Sequence, residues 1–188
     1  MASILSVEQL QGLAAGSTPN TITIPSGQTL YAPGHNIQTQ FGTIPGTEVS
    51  STANTYSDIG LQVTITPKVQ TSKMLINIMF PVYLFGVNNT AEPRGSVRIV
   101  RSIGGGSFAS NMDFIDNSNY SFKQEFGASN FWCIDRGNFI HYDTPNTTSA
   151  VIYKVQFKNT AGNVGVVRVA SSNTTGNSPR MSVQEIAQ

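Results

Sequence analysis

The fold of this chain is decided by one stretch, residues 61 to 85, which reads LQVTITPKVQTSKMLINIMFPVYLF. Its first five residues alternate apolar and polar side chains, which is the period of a strand with one buried face. From Met74 onward apolar side chains lie on both faces, which is typical of a strand that is covered on both sides. Pro67 cannot donate a hydrogen bond to a neighbouring strand, so it ends the first strand. The stretch therefore predicts a hairpin whose second strand needs two covers.

The second strand of this stretch presents two apolar faces, interrupted only by Asn77. One face carries Met74, Ile76, Ile78 and Phe80, and the other carries Leu75, Met79, Pro81 and Tyr83. Because a single sandwich has interior for only one of these faces, a neighbouring copy of the chain is expected to cover the other. We therefore predict that Leu75, Met79 and Tyr83 form an interface between copies.

The composition predicts one main domain whose surface is polar without being charged. Of 188 residues only 11% are charged, against about 25% in typical globular proteins. The 11 basic and 10 acidic residues give a formal net charge of +1, so nucleic acid and anionic membranes are not expected as partners. No apolar run approaches the ~18 residues of a membrane span, and the start MASILSVEQLQG has neither a basic region nor a long apolar core, so no signal peptide is expected.

Few residues of the sequence are candidates for metal binding or catalysis. The single cysteine, Cys133, cannot form a disulfide within the chain, and its aromatic neighbours predict a buried, inert thiol. His141 and Asp143 form an H-x-D pair, which opens a site of two histidines and one carboxylate when a second histidine follows. Here the other histidine, His35, lies far upstream, so a metal site is not predicted. Pairing Cys133 with His141 as nucleophile and base is weaker still, because no oxyanion-hole motif accompanies it.

No motif of a hydrolase, metalloprotease, phosphate-binding loop or dinucleotide-binding fold is present. Five acidic residues of the second half are spread over predicted loops and strand ends: Asp113, Asp116, Glu125, Asp135 and Asp143. Glycoside hydrolysis needs two carboxylates that face one cleft, and sequence spacing leaves that alternative open. We expect no enzymatic activity, no metal and no cofactor.

The first 33 residues are predicted to form an attachment arm ahead of a head domain at 34–188. Ser6 and Gln9 have capping-box spacing, which predicts a short helix before Gly16, and an extended segment follows it. The apolar residues at the start of the arm, predicted to anchor it, are Ile4, Leu5, Val7, Leu10 and Leu13. Because so few apolar residues cannot build an independent core, the arm is expected to bind another protein.

From His35 onward, short apolar segments alternate with turn-rich loops at the spacing of a sandwich. The predicted strands are residues 36–41, 61–65, 74–85, 96–102, 120–126, 130–135, 138–142, 151–158, 164–170 and 181–187. The predicted fold class is all-β, a jelly-roll-like antiparallel β-sandwich.

Two segments, Asn88 to Arg94 and Ser110 to Tyr120, resemble loops that recognise sugars through hydrogen bonds and ring stacking. The candidate receptor-facing residues are Asn88, Asn89, Arg94, Asn117, Asn119 and Tyr120. Loops of this composition also serve as simple connections in a weakly charged sandwich, and the sequence does not separate the two interpretations.

Several passages resemble small structural proteins of tailed bacteriophages, especially marine and cyanobacterial ones. They are MASILSVEQLQG, TITIPSGQTLYAPGHNIQ, GLQVTITPKVQTSKMLI, DTPNTTSAVIYKVQF and MSVQEIAQ. The resemblance is sharpest at Gly34-His35, at Thr64 to Lys68 with Ser72-Lys73, and at Glu185-Ile186-Ala187. It provides no catalytic residues.

This resemblance implies a homotrimeric virion protein, made in the host cytoplasm, whose arm binds another virion protein. A tail fibre or fibre tip would present its loops to a host surface, including cell-surface glycans. The alternative is a capsid decoration protein, which clamps the shell and need not bind any host molecule.

Overall fold

The computed structural model describes most of the chain from residue 24 onward. The described residues are 24, 26, 28–42, 49–51, 54–86, 94–114, 121–123, 131–160, 165–169 and 179–188, with the backbone alone described at 85, 86, 123, 131–134 and 165–169. The chain divides into two compact units, Met1–Tyr31 and Ala32–Gln188. The short helix predicted before Gly16 lies outside the described residues, and all strands given below belong to the second unit.

Regular structure in these described ranges consists of strands. They are β1 Asn36–Gly42, β2 Val49–Ser51, β3 Ser57–Ile65, β4 Lys73–Gly86, β5 Arg94–Ile103, β6 Ala109–Phe114, β7 Phe122–Lys123, β8 Phe131–Asp143, β9 Val151–Asn159, β10 Gly165–Val169 and β11 Arg180–Ile186.

The first sheet is organised around β4. Along one edge, β4 pairs with β8 over its full length, from Met74 opposite Asp143 to Gly86 opposite Phe131. Along the other edge, the first half of β4 pairs with β11 and the second half with β10. β1 continues the sheet beyond β11, and β2 continues it beyond β10. The sheet is therefore four strands wide at either level.

The second sheet has the order β3, β9, β5, and its last edge is shared by β6 and β7. β6 pairs with the later part of β5 and β7 with its first two residues. All pairings in both sheets are antiparallel, and the apolar inner faces of the sheets pack against each other to form one core. The predicted fold class, a jelly-roll-like antiparallel β-sandwich, is confirmed.

The predicted hairpin within residues 61 to 85 is wrong. β3 pairs with β9 in the second sheet, whereas β4 lies in the first sheet, so the chain crosses between the layers. Sheet layers are about 10 Å apart, and the seven connecting residues 66–72 reach at most roughly 23 Å, which is ample for the crossing. Alternation reports which side chains are buried, but it does not report which strand lies alongside.

Three other strand predictions differ from the structure. β8 runs as one strand through residues 136 and 137, where the sequence predicts a break. β2 and β6 lie in segments predicted to be loops, and both are short, polar edge strands whose sequences are VSS and ASNMDF. Their pairing is imposed by the strand beside them, because each contributes only one apolar side chain to the core, Val49 from β2 and Phe114 from β6, which is too few to specify it.

The core lies between the two sheets, and its members are drawn from both. The fully buried large side chains include Leu61, Ile65, Met74, Ile76, Ile78, Phe80, Leu84, Ile99, Tyr153, Phe157 and Met181. Burying each such aliphatic or aromatic side chain contributes about 1.5–3 kcal/mol. At one side of the core the ring centroids of Phe80 and Phe122 are 5.8 Å apart, and those of Phe114 and Phe139 are 4.7 Å apart.

Gly137 of β8 lies where this aromatic cluster comes closest to the backbone. A Cβ atom added there would lie 2.5 Å from Cε2 of Phe139 and 2.8 Å from Cζ of Phe122. Both rings are packed in the cluster, which leaves them little room to move away. A glycine is therefore required at this position by close packing.

Substitution Gly137→Ala is expected to lower the free energy of unfolding by about 1–3 kcal/mol, because the added methyl group overpacks the cluster. Without the overpacking, alanine in a strand would raise the free energy of unfolding relative to glycine. A decrease in the free energy of unfolding is therefore the sign of overpacking. Urea unfolding followed by fluorescence measures the change. Thr64→Ala, at an exposed position of β3, is the control and should stay within about 0.5 kcal/mol. An unchanged Gly137→Ala protein would contradict the close packing.

Candidate functional site

Two buried carboxylates lie in one row of the first sheet, on either side of Met74. Glu185 of β11 and Asp143 of β8 are both registered with Met74 of β4, whose side chain is fully buried. All three side chains therefore point into the sandwich. This row lies near the end of the second unit at which that unit begins, because Gly34 and His35 pair there with Ala187. We refer to the two carboxylates and their hydrogen-bond partners as the polar end of the head.

Glu185 fastens the connection between β3 and β4. Its side chain is fully buried, and Oε1 accepts hydrogen bonds from the backbone N–H groups of Lys68 at 2.8 Å and Val69 at 3.0 Å. Oε2 accepts a hydrogen bond of 2.6 Å from Nε2 of Gln38 in β1. The carboxylate thus ties the crossing between the layers to two strands of the first sheet, and it supplies acceptors for two backbone donors near the buried Pro67.

Asp143 joins the first sheet to three strands of the second. Nη1 of Arg101 in β5 donates to Oδ1 at 2.6 Å and to Oδ2 at 2.7 Å. The hydroxyl of Tyr153 in β9 donates to Oδ2 at 2.6 Å, and Nδ2 of Asn111 in β6 donates to Oδ1 at 3.1 Å. Both carboxylate oxygens are engaged, so Asp143 acts as a bridge across the sandwich.

The protonation states of this bridge follow from its contacts. Burial acts to raise the pKa of Asp143, but the hydrogen bonds from Tyr153, Arg101 and Asn111 outweigh it and lower the pKa below its ordinary value. Burial, followed by the hydrogen bond to Asp143, raises the pKa of Tyr153 well above its ordinary value. Asp143 is therefore ionised and Tyr153 protonated at neutral pH, which is the arrangement that the hydrogen bonds need.

His141 lies beside this bridge and has no polar partner of its own. It lies on the same inward face of β8 as Asp143, is half-buried, and its ring meets that of Phe114 edge-on at 6.5 Å. Its Nε2 atom is buried without a hydrogen-bond partner. Burial lowers the pKa of His141, while the nearby Asp143 acts to raise it and Arg101 to lower it. The H-x-D pair is thus a half-buried histidine beside an aspartate whose oxygens already accept hydrogen bonds.

The other residues considered for chemistry are placed apart from this bridge. His35 is exposed, and its backbone pairs with Ala187 where β1 begins. Cys133 lies in β8 opposite Leu84, and its side chain is outside the described part. Among the described residues, no group of three or more His, Cys, Asp or Glu side chains could hold a metal ion. None of the described segments forms a helix with the length and apolarity needed to cross a bilayer.

The predicted interface residues lie together on one surface. Leu75, Met79 and Tyr83 alternate with the buried residues of β4 and so point away from the core, and each is half-buried by its neighbours in the chain. The predicted anchor residues, Ile4, Leu5, Val7, Leu10 and Leu13, lie outside the described residues.

Of the candidate receptor-facing residues, the structure describes Arg94 and leaves Asn88, Asn89, Asn117, Asn119 and Tyr120 outside its described ranges. Arg94 is half-buried at the first position of β5, and its carbonyl oxygen accepts a hydrogen bond from the N–H of Thr160. The strands that flank residues 87–93 and 115–120 reach the same end of the sandwich, because β5 begins beside β7 there. That end is opposite the polar end.

Sequence reasoning missed the polar end, although one signal for it was available. The inward positions are Met181, Val183 and Glu185 of β11, followed by Ala187, so an acidic residue occupies a place that the alternation assigns to the core. A buried carboxylate requires hydrogen-bond donors around it. Arg101 and Asn111 carried no comparable signal, since their approach to Asp143 depends on how the two sheets are superposed.

Substitution Glu185→Gln is expected to lower the free energy of unfolding by about 1–3 kcal/mol, because an amide nitrogen cannot accept the hydrogen bonds that one carboxylate oxygen now accepts. Urea unfolding measures the loss, and hydrogen exchange should show faster exchange at the amides of Lys68 and Val69. Gln62→Ala, at an exposed position of β3, is the control. Unaltered exchange at both amides would contradict this role of Glu185.

Acidification from pH 7.5 to pH 5.5 is expected to destabilise the wild-type protein through His141. Because the pKa of His141 is lower in the folded state than the ordinary ~6.5 of the unfolded chain, its contribution is complete above about pH 6.5 and decreases as the pH falls below it. Urea unfolding across this range measures the effect. His141→Gln should show a flatter pH dependence than the wild type. His35→Gln changes the other histidine of the chain and should retain the wild-type dependence; if both variants behave alike, His141 is not the group responsible.

No family model and no curated protein matches this sequence. Among solved structures, the chain is similar to "Eiger TNF from S. frugiperda", with 9% sequence identity and a TM-score of 0.37. The match covers 82% of this chain and 95% of that chain. Similarity at this level adds no information on function.

Proposed function

We propose that this chain is a non-catalytic structural protein of a tailed bacteriophage virion. In this proposal it forms a homotrimeric tail fibre or fibre-tip component, whose arm binds another virion protein and whose loops contact the host surface. The proposal starts from the sequence resemblance given above, and it is supported by the way the head is organised.

The observation that carries the proposal is that the head has two different ends. At one end Gly34 and His35 pair with Ala187, so the start and the finish of the head lie side by side. At the other end, the strand ends that flank residues 87–93, 124–130 and 161–164 meet, since Gly86 is registered with both Phe131 and Gly165. A head whose first and last residues meet at one end, and whose flanking strand ends meet at the other, suits a virion component that is attached through its arm.

The motifs that carry the resemblance also come together at the attached end. Ala187 bonds to Gly34 and His35, and Glu185 binds the N–H of Lys68. Residues that are far apart in the chain thus form hydrogen bonds at the end of the head where the proposed arm begins. These contacts support the resemblance, because the residues that carry it hold the fold together at one end of the head.

A chain without residues 1–33 is expected to fold as a head but to be lost from assembled particles, because the arm is the proposed attachment segment. Circular dichroism of the purified truncated protein measures folding, and quantitative mass spectrometry of purified particles measures incorporation. Full-length Gln62→Ala, altered at an exposed position of β3, is the control and should be incorporated normally. A truncated protein that is incorporated at the wild-type level would contradict the role of the arm.

The same particle preparation separates the two virion roles. Gold-labelled antibodies against the head should bind at the tail, with a few tens of copies per particle at most. Labelling spread over the capsid, with copies in the hundreds, would show that the chain is a capsid decoration protein and not a fibre component. Particles that lack the chain altogether would overturn the proposal of a virion component.

A further inference from the structure

The outer face of the first sheet, which points away from the core, carries three large apolar side chains that are mostly exposed. Phe41 is 76% exposed, Ile140 is 57% exposed and Tyr142 is 64% exposed. Phe41 belongs to β1 and the other two to β8, so they lie on opposite sides of β11 and β4. The two flanking strands, β1 and β8, thus carry exposed apolar side chains, and the outward side chains of β11 and β4 between them are less exposed in these positions.

Two rows of outward side chains that cross the sheet from β1 to β8 are also uncharged. One row across the sheet contains Phe41, Ser182, Asn77 and Ile140, and the next contains Thr39, Gln184, Leu75 and Tyr142. Leu75 and the nearby Met79 are half-buried already. The described side chains that point outward from β1, β4, β8 and β11 include no Asp or Glu, and their charges are Lys73, Arg136 and Arg180, all outside these two rows.

The outer face of the second sheet has the opposite character. Asp58 accepts a hydrogen bond from Gln156 and forms an ion pair of 3.6 Å with Lys154. Arg98 bonds to Gln156 and lies 4.0 Å from the ring centroid of Tyr56. Burying these charged groups would cost desolvation energy, so this face is suited to water. The two faces of one sandwich therefore differ in what they can bury.

The outer face of the first sheet is large enough to contact a protein partner. From Lys73 to Tyr83 the sheet is about 33 Å long and about 19 Å wide, which gives a flat area of roughly 600 Å². A stable interface buries about 800 Å² per partner. The relief of the side chains adds to the flat area, so the face is large enough for a stable contact.

We propose that this face, centred on Leu75 and Ile140, is the contact surface between copies of this chain. The inference rests on the homotrimer of the proposed function and names the surface that holds it together. It also extends the interface predicted from β4 to the flanking strands, through Phe41, Ile140 and Tyr142.

Of the ways in which copies of this sandwich can pack on one another, contact through this face is the most favourable. When three copies turn this face toward a common three-fold axis, each face contacts the faces of both neighbours, and the charged outer faces stay in water. Packing the apolar face of one copy on the charged face of the next would bury the ion pair of Asp58 and would continue without end. Flat sheet faces pack closely when their aliphatic and aromatic side chains interdigitate.

Sedimentation velocity and light scattering of the full-length protein over a range of concentrations test this proposal. The wild type should associate, and the variant Ile140→Glu with Tyr142→Glu should weaken association by at least about tenfold, because two exposed apolar contacts become charged. The matched control places the same two glutamates on the outer face of the second sheet, as Gln62→Glu with Thr64→Glu, and should associate like the wild type. Circular dichroism verifies that all three proteins are folded.

If the charged pair unfolds the head, the milder pair Ile140→Ser with Tyr142→Ser is measured in its place. Hydroxyl-radical footprinting provides an independent readout. Phe41, Ile140 and Tyr142 should become protected as concentration rises, whereas the exposed Phe108 near Lys154 should remain reactive.

The outcomes separate this proposal from the function on which it rests. A wild type that associates equally well with the charged pair in place would overturn the assigned face and leave the homotrimer standing. A wild type that stays monomeric at all concentrations would overturn both the face and the homotrimer. In either case, labelling of particles decides the virion role separately.

Discussion

The whole sandwich depends on β4 burying one complete face while pairing along both of its edges. Its inward side chains from Met74 to Leu84 are inaccessible to solvent. β8 pairs along one edge, and β11 and β10 share the other. With every neighbouring position occupied, β3 lies in the opposite layer. The apolar inner face of β4 is thus the surface on which the second sheet packs.

The polar end stabilises this packing where apolar burial alone would leave the layers free to slide. Asp143 connects β8 to three strands of the second sheet, and Glu185 connects β11 to the crossing that leads out of β3. Hydrogen bonds have defined directions, whereas hydrophobic contact does not, so the two carboxylates set the relative position of the sheets. At the same end Gly34 and His35, near the start of the second unit, bond to Ala187 near its finish.

Much of the fold could be predicted from the sequence, but the candidate site could not. The alternation in β9 and β11 identified their buried faces, because period two is a property of the strand itself. The polar strands β2 and β6 were missed, since their structure comes from neighbours that sequence order does not reveal. His141 and Asp143 were recognised as a pair of interest, yet their role depends on Arg101, Asn111 and Tyr153, which reach Asp143 from other strands.

The sequence by itself determined that this chain is an antiparallel β-sandwich and that β4 has a second apolar face, because both properties follow from local periodicity. Only the tertiary structure decided that β3 and β4 lie in different layers, that Glu185 and Asp143 close one end, and that Phe41, Ile140 and Tyr142 share a surface with Leu75. These features depend on contacts between residues that are distant in the chain. Strand pairing and layer superposition bring them together, and neither is encoded in the pattern of a single strand.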